Sequence, residues 1–300
     1  MSSVNSNTIA PRYFYRAYRD PKNFYYNGGG ASSIDVLASL QNPDCCYPGI
    51  PSPVILLCCN FFIVLFYLIF LLSNTFSKLF FKSYSHLSKV DKTEWNSRIV
   101  STCHAVIASI LSFYIYWTNE EYAINIVFAQ PDSTVVLSCF STGYIIFDTI
   151  LLILNRGEQS IFGWPIFIHH IVSILTVLLN FTFGFASAGG IFLLITESST
   201  PFVNLRWMLV KCSLRDSIWY SCNGIALAAT FFMCRVVWPI SGALYYNMYY
   251  RHLIVKVPVI LEIIAWMFLA FYVVLNARWF SQIYHGLVRV LRGKSDEKKS

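Results

Sequence analysis

The chain has 300 residues, of which 56% are hydrophobic and only 12% are charged, and its mean hydropathy is +0.54. This composition excludes a soluble globular protein of this size, because too few charged residues remain to cover its surface. The formal net charge of +7 arises mostly from lysines and arginines beside apolar segments, which favours contact with anionic lipid over nucleic acid. We therefore predict an all-α polytopic membrane protein with membrane lipids as partners and no nucleic acid.

Seven apolar segments are long enough to cross a bilayer, which takes about 20 helical residues each. Residues 1–50 combine tyrosine, asparagine, glycine and scattered charge and are predicted to be a flexible lumenal segment. The first apolar segment starts too late to be a signal peptide. The fourth and fifth segments are separated by only a few residues, which predicts a tight hairpin. The predicted spans cover residues 54–72, 99–118, 134–154, 161–180, 184–203, 217–240 and 257–276.

The distribution of lysine and arginine predicts the orientation of these spans. The first connection is rich in basic residues, whereas the second contains acidic residues and no basic ones. Further basic residues follow the fifth span and the seventh span. We expect a lumenal N-terminus, a basic cytoplasmic loop within residues 51–89, and a basic cytoplasmic tail over residues 291–300. The basic residues of the first connection are Lys78, Lys82, Lys89, Lys92 and Arg98.

The third span places polar groups inside the predicted membrane. Tyr144 and Asp148 are four residues apart and share one face of a helix, while Gly143 removes bulk so that another helix can approach. Two interpretations of Asp148 stay open. It is either a structural acceptor, bonded to Tyr144 or to Arg235, or a group used in binding or proton transfer.

The fourth span contains two adjacent histidines, His169 and His170, shortly after Pro165, which is tolerated near a helix start. Adjacent helical residues point about 100° apart, so one ring can face a chamber while the other bonds a neighbouring helix. Histidine titrates near neutral pH and can take a proton from an amine or a hydroxyl group. A structural pair and a catalytic pair are both compatible with this pattern.

The fifth span contains Glu197 followed by three hydroxyl residues and Pro201. Proline clashes with the carbonyl group four residues earlier, so we expect a kink that frees the Glu197 carbonyl. On the sixth span, Arg235 either pairs with Glu262 or reaches the lumenal surface. Polar groups on neighbouring spans predict a shared lipid-binding chamber, because each would be costly in hydrocarbon. Its predicted members are Tyr144, Asp148, His169, His170, Glu197 and Arg235, with His169, His170 and Asp148 as catalytic candidates.

Several of these segments resemble the TLC-domain family, which contains the ceramide synthases and the translocating-chain-associated membrane proteins. The similarity covers about residues 90–290, which we take as the domain. It implies a six-helix TLC barrel made of spans two to seven, with the first helix outside. The matching segments are residues 94–104, residues 141–144 with Asp148, the pair His169-His170, residues 197–207 and residues 231–235.

The resemblance implies a function in membrane lipid homeostasis. In ceramide synthases a His-His pair opens a longer HDxxDxxLE motif, whose acidic residues are absent here; this chain has Glu197-Ser-Ser-Thr-Pro instead. An acyl-CoA-dependent lipid N-acyltransferase is therefore the alternative, with acyl-CoA as its only co-substrate and no bound cofactor. A second alternative is protein trafficking or chaperoning. Family analogy favours the endoplasmic reticulum over the plasma membrane, and the nine cysteines show no zinc-binding spacing.

Overall fold

The computed structural model of the protein describes residues 52–155 and 163–297, which are helices and short connections without any strand. The predicted lumenal segment of residues 1–50 lies outside these ranges, as do the last three residues of the predicted tail. The described part of the chain is therefore all-α, as the sequence predicts.

The helices follow one another through short loops, and two of them are interrupted by turns of different pitch. The elements in chain order are α1 (Ser52–Phe80), α2 (Lys82–Ser85), α3 (Lys89–Thr118), α4 (Glu120–Ile124), α5 (Asp132–Leu154), α6 (Trp164–Phe183), α7 (Ser187–Leu194), a 3₁₀ turn (Ile195–Ser199), α8 (Thr200–Lys211), α9 (Ile218–Phe232), a π-helical turn (Met233–Val237), α10 (Trp238–Tyr249), α11 (Arg251–Ile254) and α12 (Val259–Glu297).

Six continuous helical segments within the described ranges are long and apolar enough to cross a membrane. They correspond to six of the seven predicted spans. The fifth predicted span is instead a helix in three pieces, residues 187–211, broken in the middle by the 3₁₀ turn. The protein is a multi-pass integral membrane protein, and the count of seven spans stays a prediction.

The connection between α6 and α7 is the tight hairpin that the sequence predicts. Gly184 ends α6 in the left-handed conformation, with φ of 65°, and Ala186 precedes α7 with φ of 60°. The side-chain amide of Asn180 donates to the carbonyl of Phe185 at 2.7 Å. This bond holds the turn against the end of α6, so two antiparallel segments need only three connecting residues.

The membrane-crossing segments pack as a closed ring. Around it, α3 contacts α5, α5 contacts α6, α6 contacts α12, α12 contacts α9, α9 contacts α8, and α8 returns to α3. Helix α1 lies outside this ring against α3 and α5. A Cβ atom added to Gly143 of α5 would lie 2.6 Å from Cβ of Phe62 on α1, so glycine permits this close approach.

The outer faces of the ring are apolar. Large side chains on α1 are strongly exposed, and Leu57, Leu72 and Leu79 each expose more than two thirds of their surface. An exposed apolar surface of this extent is stable in hydrocarbon but not in water. The polar residues are instead concentrated at the helix ends and inside the ring.

Candidate functional site in the interior of the helix ring

An ion pair between Glu197 and Arg235 lies inside the ring. A guanidinium nitrogen of Arg235 is 3.2 Å from Oε1 of Glu197. The same guanidinium donates to the hydroxyl oxygens of Ser199 at 2.8 Å and Thr200 at 2.7 Å. Thr200 in turn donates to Oε2 of Glu197 at 2.6 Å. Both charges are thus paired and hydrogen-bonded, which offsets the cost of burying them.

Each member of this pair lies four residues before a proline. Pro201 follows Glu197 at this spacing and Pro239 follows Arg235. A proline cannot donate to the carbonyl four residues earlier and its ring clashes with that carbonyl, so an α-helix must change pitch there. The helix is a 3₁₀ turn at Glu197 and a π turn at Arg235. In the π turn the backbone N–H of Trp238 donates to the carbonyl of Met233.

A second polar group joins α3, α5 and α6 around His170. Its Nδ1 atom is 3.0 Å from the hydroxyl oxygen of Thr149, and its Nε2 atom is 3.8 Å from Oδ2 of Asp148. The single hydroxyl hydrogen of Thr149 goes to the carbonyl of Ile145 at 2.6 Å. Thr149 must therefore accept from His170, which assigns the proton of a neutral ring to Nδ1. Nε2 then has a free lone pair beside a carboxylate.

The carboxylate of Asp148 is fixed from the opposite side. Ser97 of α3 donates to its Oδ1 atom at 2.9 Å, and the side chain exposes only 15% of its surface. At 3.8 Å, Oδ2 is too far from Nε2 of His170 for a hydrogen bond, but close enough to stabilise a positive charge on the ring. A proton on Nε2 of His170 would therefore face the Asp148 carboxylate.

His169 lies beside His170 in a more open position. Its ring centre is 5.9 Å from that of His170, 6.2 Å from that of Tyr272 and 6.0 Å from that of Trp279. Within the described ranges, neither ring nitrogen makes a hydrogen bond. Tyr272 donates instead to the hydroxyl of Thr196 at 2.6 Å. The half-buried imidazole of His169 is therefore available to a ligand.

A third histidine, His104, lies deep in the ring and was not predicted as a site residue. Its imidazole stacks on Tyr144, with ring centres 4.0 Å apart and planes inclined by 12°, and Phe140 stacks at 5.4 Å. Nε2 lies 3.2 Å from the hydroxyl oxygen of Ser141, whereas Nδ1 is buried without a partner. An unpartnered buried nitrogen is unusual and is satisfied most simply by a bound water or ligand atom.

The three polar groups lie on elements that contact one another. The 3₁₀ turn that holds Glu197 packs against α3, which carries His104, and Tyr272 beside His169 donates to Thr196 in the same turn. All six predicted chamber residues belong to this region. Tyr144 contacts His104, Asp148 lies beside His170, and Arg235 pairs with Glu197. Whether the region serves as a lipid-binding or catalytic site stays a prediction.

Three details differ from the sequence-based expectations. Arg235 does not pair with Glu262; it pairs with Glu197, because the π turn directs it into the ring, and Glu262 pairs with Arg251 at the helix end. Asp148 accepts from Ser97 and, among the described residues, from neither Tyr144 nor Arg235. The carbonyl of Glu197 is not free, because the 3₁₀ turn brings the backbone N–H of the residue three positions later to it.

The arrangement can exchange protons and bind a polar group without exposing either to bulk lipid. Within the described ranges no cluster of three or more His, Cys, Asp or Glu side chains is placed to hold a metal ion. The available groups are the lone pair on Nε2 of His170 and the unbonded nitrogens of His169 and His104. Glu197 is not available for acid–base chemistry, because Arg235 and Thr200 occupy its two oxygens.

Sequence comparison gives the family. The family profile described as TLC domain matches residues 94–285. The chain is 30% identical over 248 residues to TLC domain-containing protein 4 of Homo sapiens, covering 80% of this chain and 91% of that protein. It is also 30% identical over 232 residues to TLC domain-containing protein 4-B of Danio rerio, covering 76% and 86%.

A weaker relative is TLC domain-containing protein 1 of Mus musculus, 26% identical over 142 residues, which cover 47% of this chain and 57% of that protein. The profile match confirms the resemblance to the TLC-domain family that the sequence motifs indicate. The profile match spans all five segments that carry the resemblance, from residues 94–104 to residues 231–235. The chain therefore belongs to the TLC-domain family.

Proposed function

We propose that the interior of the ring binds a lipid by its polar head group and that the protein acts in this way in membrane lipid homeostasis. The observation that carries the proposal is the set of histidine ring nitrogens without hydrogen-bond partners inside the ring. Nε2 of His170, both ring nitrogens of His169 and Nδ1 of His104 have no hydrogen-bond partner within the described ranges. A neutral imidazole has one N–H donor and one acceptor nitrogen, so a head group whose hydroxyl or amine groups donate and accept hydrogen bonds would pair with these rings, which hydrocarbon cannot do.

The second candidate function is lipid N-acyl transfer, and it is favoured by one observation, the position of Nε2 of His170 beside Asp148. In this reaction the amine nitrogen of an acceptor lipid attacks the thioester carbonyl of acyl-CoA and forms the amide C–N bond. Nε2 takes the amine proton, and Asp148 stabilises the resulting imidazolium. The C–S bond breaks, and the thiolate of coenzyme A takes up the proton as it leaves.

Both candidates predict the same dependence on the histidines and differ in turnover. A binding protein changes lipid composition without consuming acyl-CoA, whereas a transferase consumes one acyl-CoA for each amide formed. Protein trafficking in the endoplasmic reticulum, the third function that the resemblance implies, predicts no dependence of lipids on His169 and His170. The endoplasmic reticulum is the proposed location for all three.

The test is lipid profiling of cells that lack the protein and are rescued by wild type or by His169→Ala/His170→Ala. The matched control is His86→Ala/His252→Ala, since both of these histidines are exposed and lie outside the ring. We expect wild type and the control to restore the lipid profile and the interior double variant to fail. Thermal unfolding of purified protein is measured in parallel, because an unfolded variant would lose function for another reason.

Restoration of the profile by a stable interior variant would refute the lipid-binding proposal. Purified protein incubated with isotopically labelled acyl-CoA and an amine lipid then distinguishes the two candidates. Labelled amide that disappears in the interior variant supports N-acyl transfer. Binding of the amine lipid without acyl-CoA consumption supports lipid handling alone.

A further inference from the structure

A cavity lies outside the ring, between α1, α2 and α3. Its volume is about 450 Å³, and it is open to the surface. Known small-molecule sites occupy roughly 300–1,000 Å³, so the space is sufficient for a phosphorylated head group. It is separate from the ring interior, because Asn96 of α3 faces this cavity while the next residue, Ser97, bonds to Asp148 inside the ring.

Three lysines converge on this cavity without a counter-ion. Lys78 comes from the end of α1, and Lys89 and Lys92 come from the first turn of α3. No carboxylate is among the residues that line the cavity, and in the described part of the chain none of the three lysines forms an ion pair. The nearby carboxylate of Asp91 is already bound to Lys211 at 2.6 Å. Such a group of like charges attracts an anion.

The wall of the cavity holds a fixed hydrogen-bond donor. Tyr84 is buried and donates to Oδ1 of Asn74 at 2.9 Å, and the amide of Asn96 donates to the hydroxyl oxygen of Tyr84 at 2.9 Å. These bonds orient the Asn74 amide, whose Nδ2 atom has no partner among the described residues. A fixed amide donor beside lysines is suited to a phosphate oxygen.

The cavity also has an apolar side that continues onto the membrane surface of α1. Phe70 and Leu71 line it, and Leu71 exposes 47% of its surface. Leu72, the next residue, is exposed as well. A free phosphate would use only the lysines and the amide, whereas a phospholipid would also cover this apolar strip.

We propose that this cavity binds an anionic phospholipid, with its phosphate held by Lys78, Lys89 and Lys92 and one acyl chain lying on α1 along Leu71. The lysines lie in the connection that the charge distribution predicts to be cytoplasmic, and anionic lipids are concentrated in the cytoplasmic leaflet. The site is independent of the chamber in the ring. A lipid bound there would contact both α1, the helix outside the ring, and the start of α3.

The test is a titration of the full-length protein in detergent with dioleoyl phosphatidic acid, dioleoyl phosphatidylcholine and soluble glycerol 3-phosphate. The variant is Lys78→Glu/Lys89→Glu and the control is Lys82→Glu/Arg215→Glu, which makes the same charge change at exposed positions that do not line the cavity. A juxtamembrane lysine contributes about a fivefold gain in affinity, so we expect the variant to lose roughly 25-fold or more for phosphatidic acid. The control should lose about twofold or less for the same lipid.

A second variant, Leu71→Trp, tests the apolar contact at a position where an exposed side chain leaves folding intact. It should weaken the binding of phosphatidic acid and leave the affinity for glycerol 3-phosphate unchanged. The proposal is overturned by equal losses in the lysine variant and its control, by glycerol 3-phosphate binding as tightly as the lipid, or by the absence of saturable binding. Unchanged lipid affinity in Leu71→Trp would overturn the placement of the acyl chain.

Discussion

Replacing Arg235 with methionine should destabilise the protein more than most single substitutions inside the ring. The change keeps an unbranched side chain but removes three contacts of the guanidinium, to Glu197, Ser199 and Thr200. It also leaves the Glu197 carboxylate with the Thr200 hydroxyl as its hydrogen-bond donor and without a positive partner. Breaking a buried ion pair from one side costs roughly 3–5 kcal/mol.

The structure places this change at the lower end of that range. The Arg235 side chain exposes 8% of its surface and the Glu197 side chain 21%, so some compensation by water or lipid head groups is available to the carboxylate. We therefore expect Arg235→Met to lower the free energy of unfolding by about 3 kcal/mol, a factor of roughly 150 in the folding equilibrium. The double variant Arg235→Met/Glu197→Gln removes the unpaired charge and should recover about 2 kcal/mol of this loss.

The assay is reversible unfolding in mixed micelles, with the free energy of wild type, both single variants and the double variant measured under one condition. A stabilising double-mutant coupling of about 2 kcal/mol supports an ion pair that holds the two interrupted helices together. The reasoning is wrong if Arg235→Met loses less than about 1 kcal/mol, the value of a single neutral hydrogen bond, or if the double variant is as unstable as the sum of the singles.

Three further predictions concern packing, the histidines and topology. Gly143→Ala should lower stability by about 1–3 kcal/mol, because its Cβ would overlap Phe62. Gly189→Ala should be neutral or stabilising, because no atom lies within 4 Å of the added Cβ. The thermal midpoints of the two variants test this difference. His170→Ala should destabilise by about 1–3 kcal/mol through lost partners, and His169→Ala by much less, and equal midpoints would contradict that ranking. Protease protection of terminal tags should place the N-terminus in the lumen and the C-terminus in the cytoplasm, and protection of both would exclude an odd number of spans.

The fold could be predicted from the sequence where hydropathy and breakers act locally. The apolar segments gave the helices, and the few residues between the fourth and fifth gave the hairpin at Gly184. Helix ends were less predictable, since α12 continues to Glu297 although its apolar span was placed to end at residue 276. Hydropathy marks the part of a helix inside the membrane and carries little information about its continuation into water.

The pairing of side chains inside the ring was harder to predict. Pro201 marked the interruption at Glu197, and the same spacing from Pro239 could have marked Arg235, but no local signal states that these two interruptions face each other. His104 has no acid beside it along the chain, so in the sequence it resembles one polar residue in an apolar helix. Its role follows from Tyr144 and Ser141 of α5, which only the folded ring brings near.

The π turn at Met233–Val237 is equivalent to one residue inserted into an otherwise regular α-helix. An insertion of this kind rotates everything after it by about 100° relative to what precedes it. Beyond the turn, Trp238 stacks on Phe192 with ring centres 4.5 Å apart, and its indole N–H donates to the Phe192 carbonyl at 3.1 Å. Deleting one residue from this π turn would rotate the two flanking helical segments relative to each other. The Trp238 ring and the Arg235 side chain could then no longer both face their partners, Phe192 and Glu197. The ion pair and the aromatic contact therefore depend on the same helical register, and a change of length in this turn would alter both.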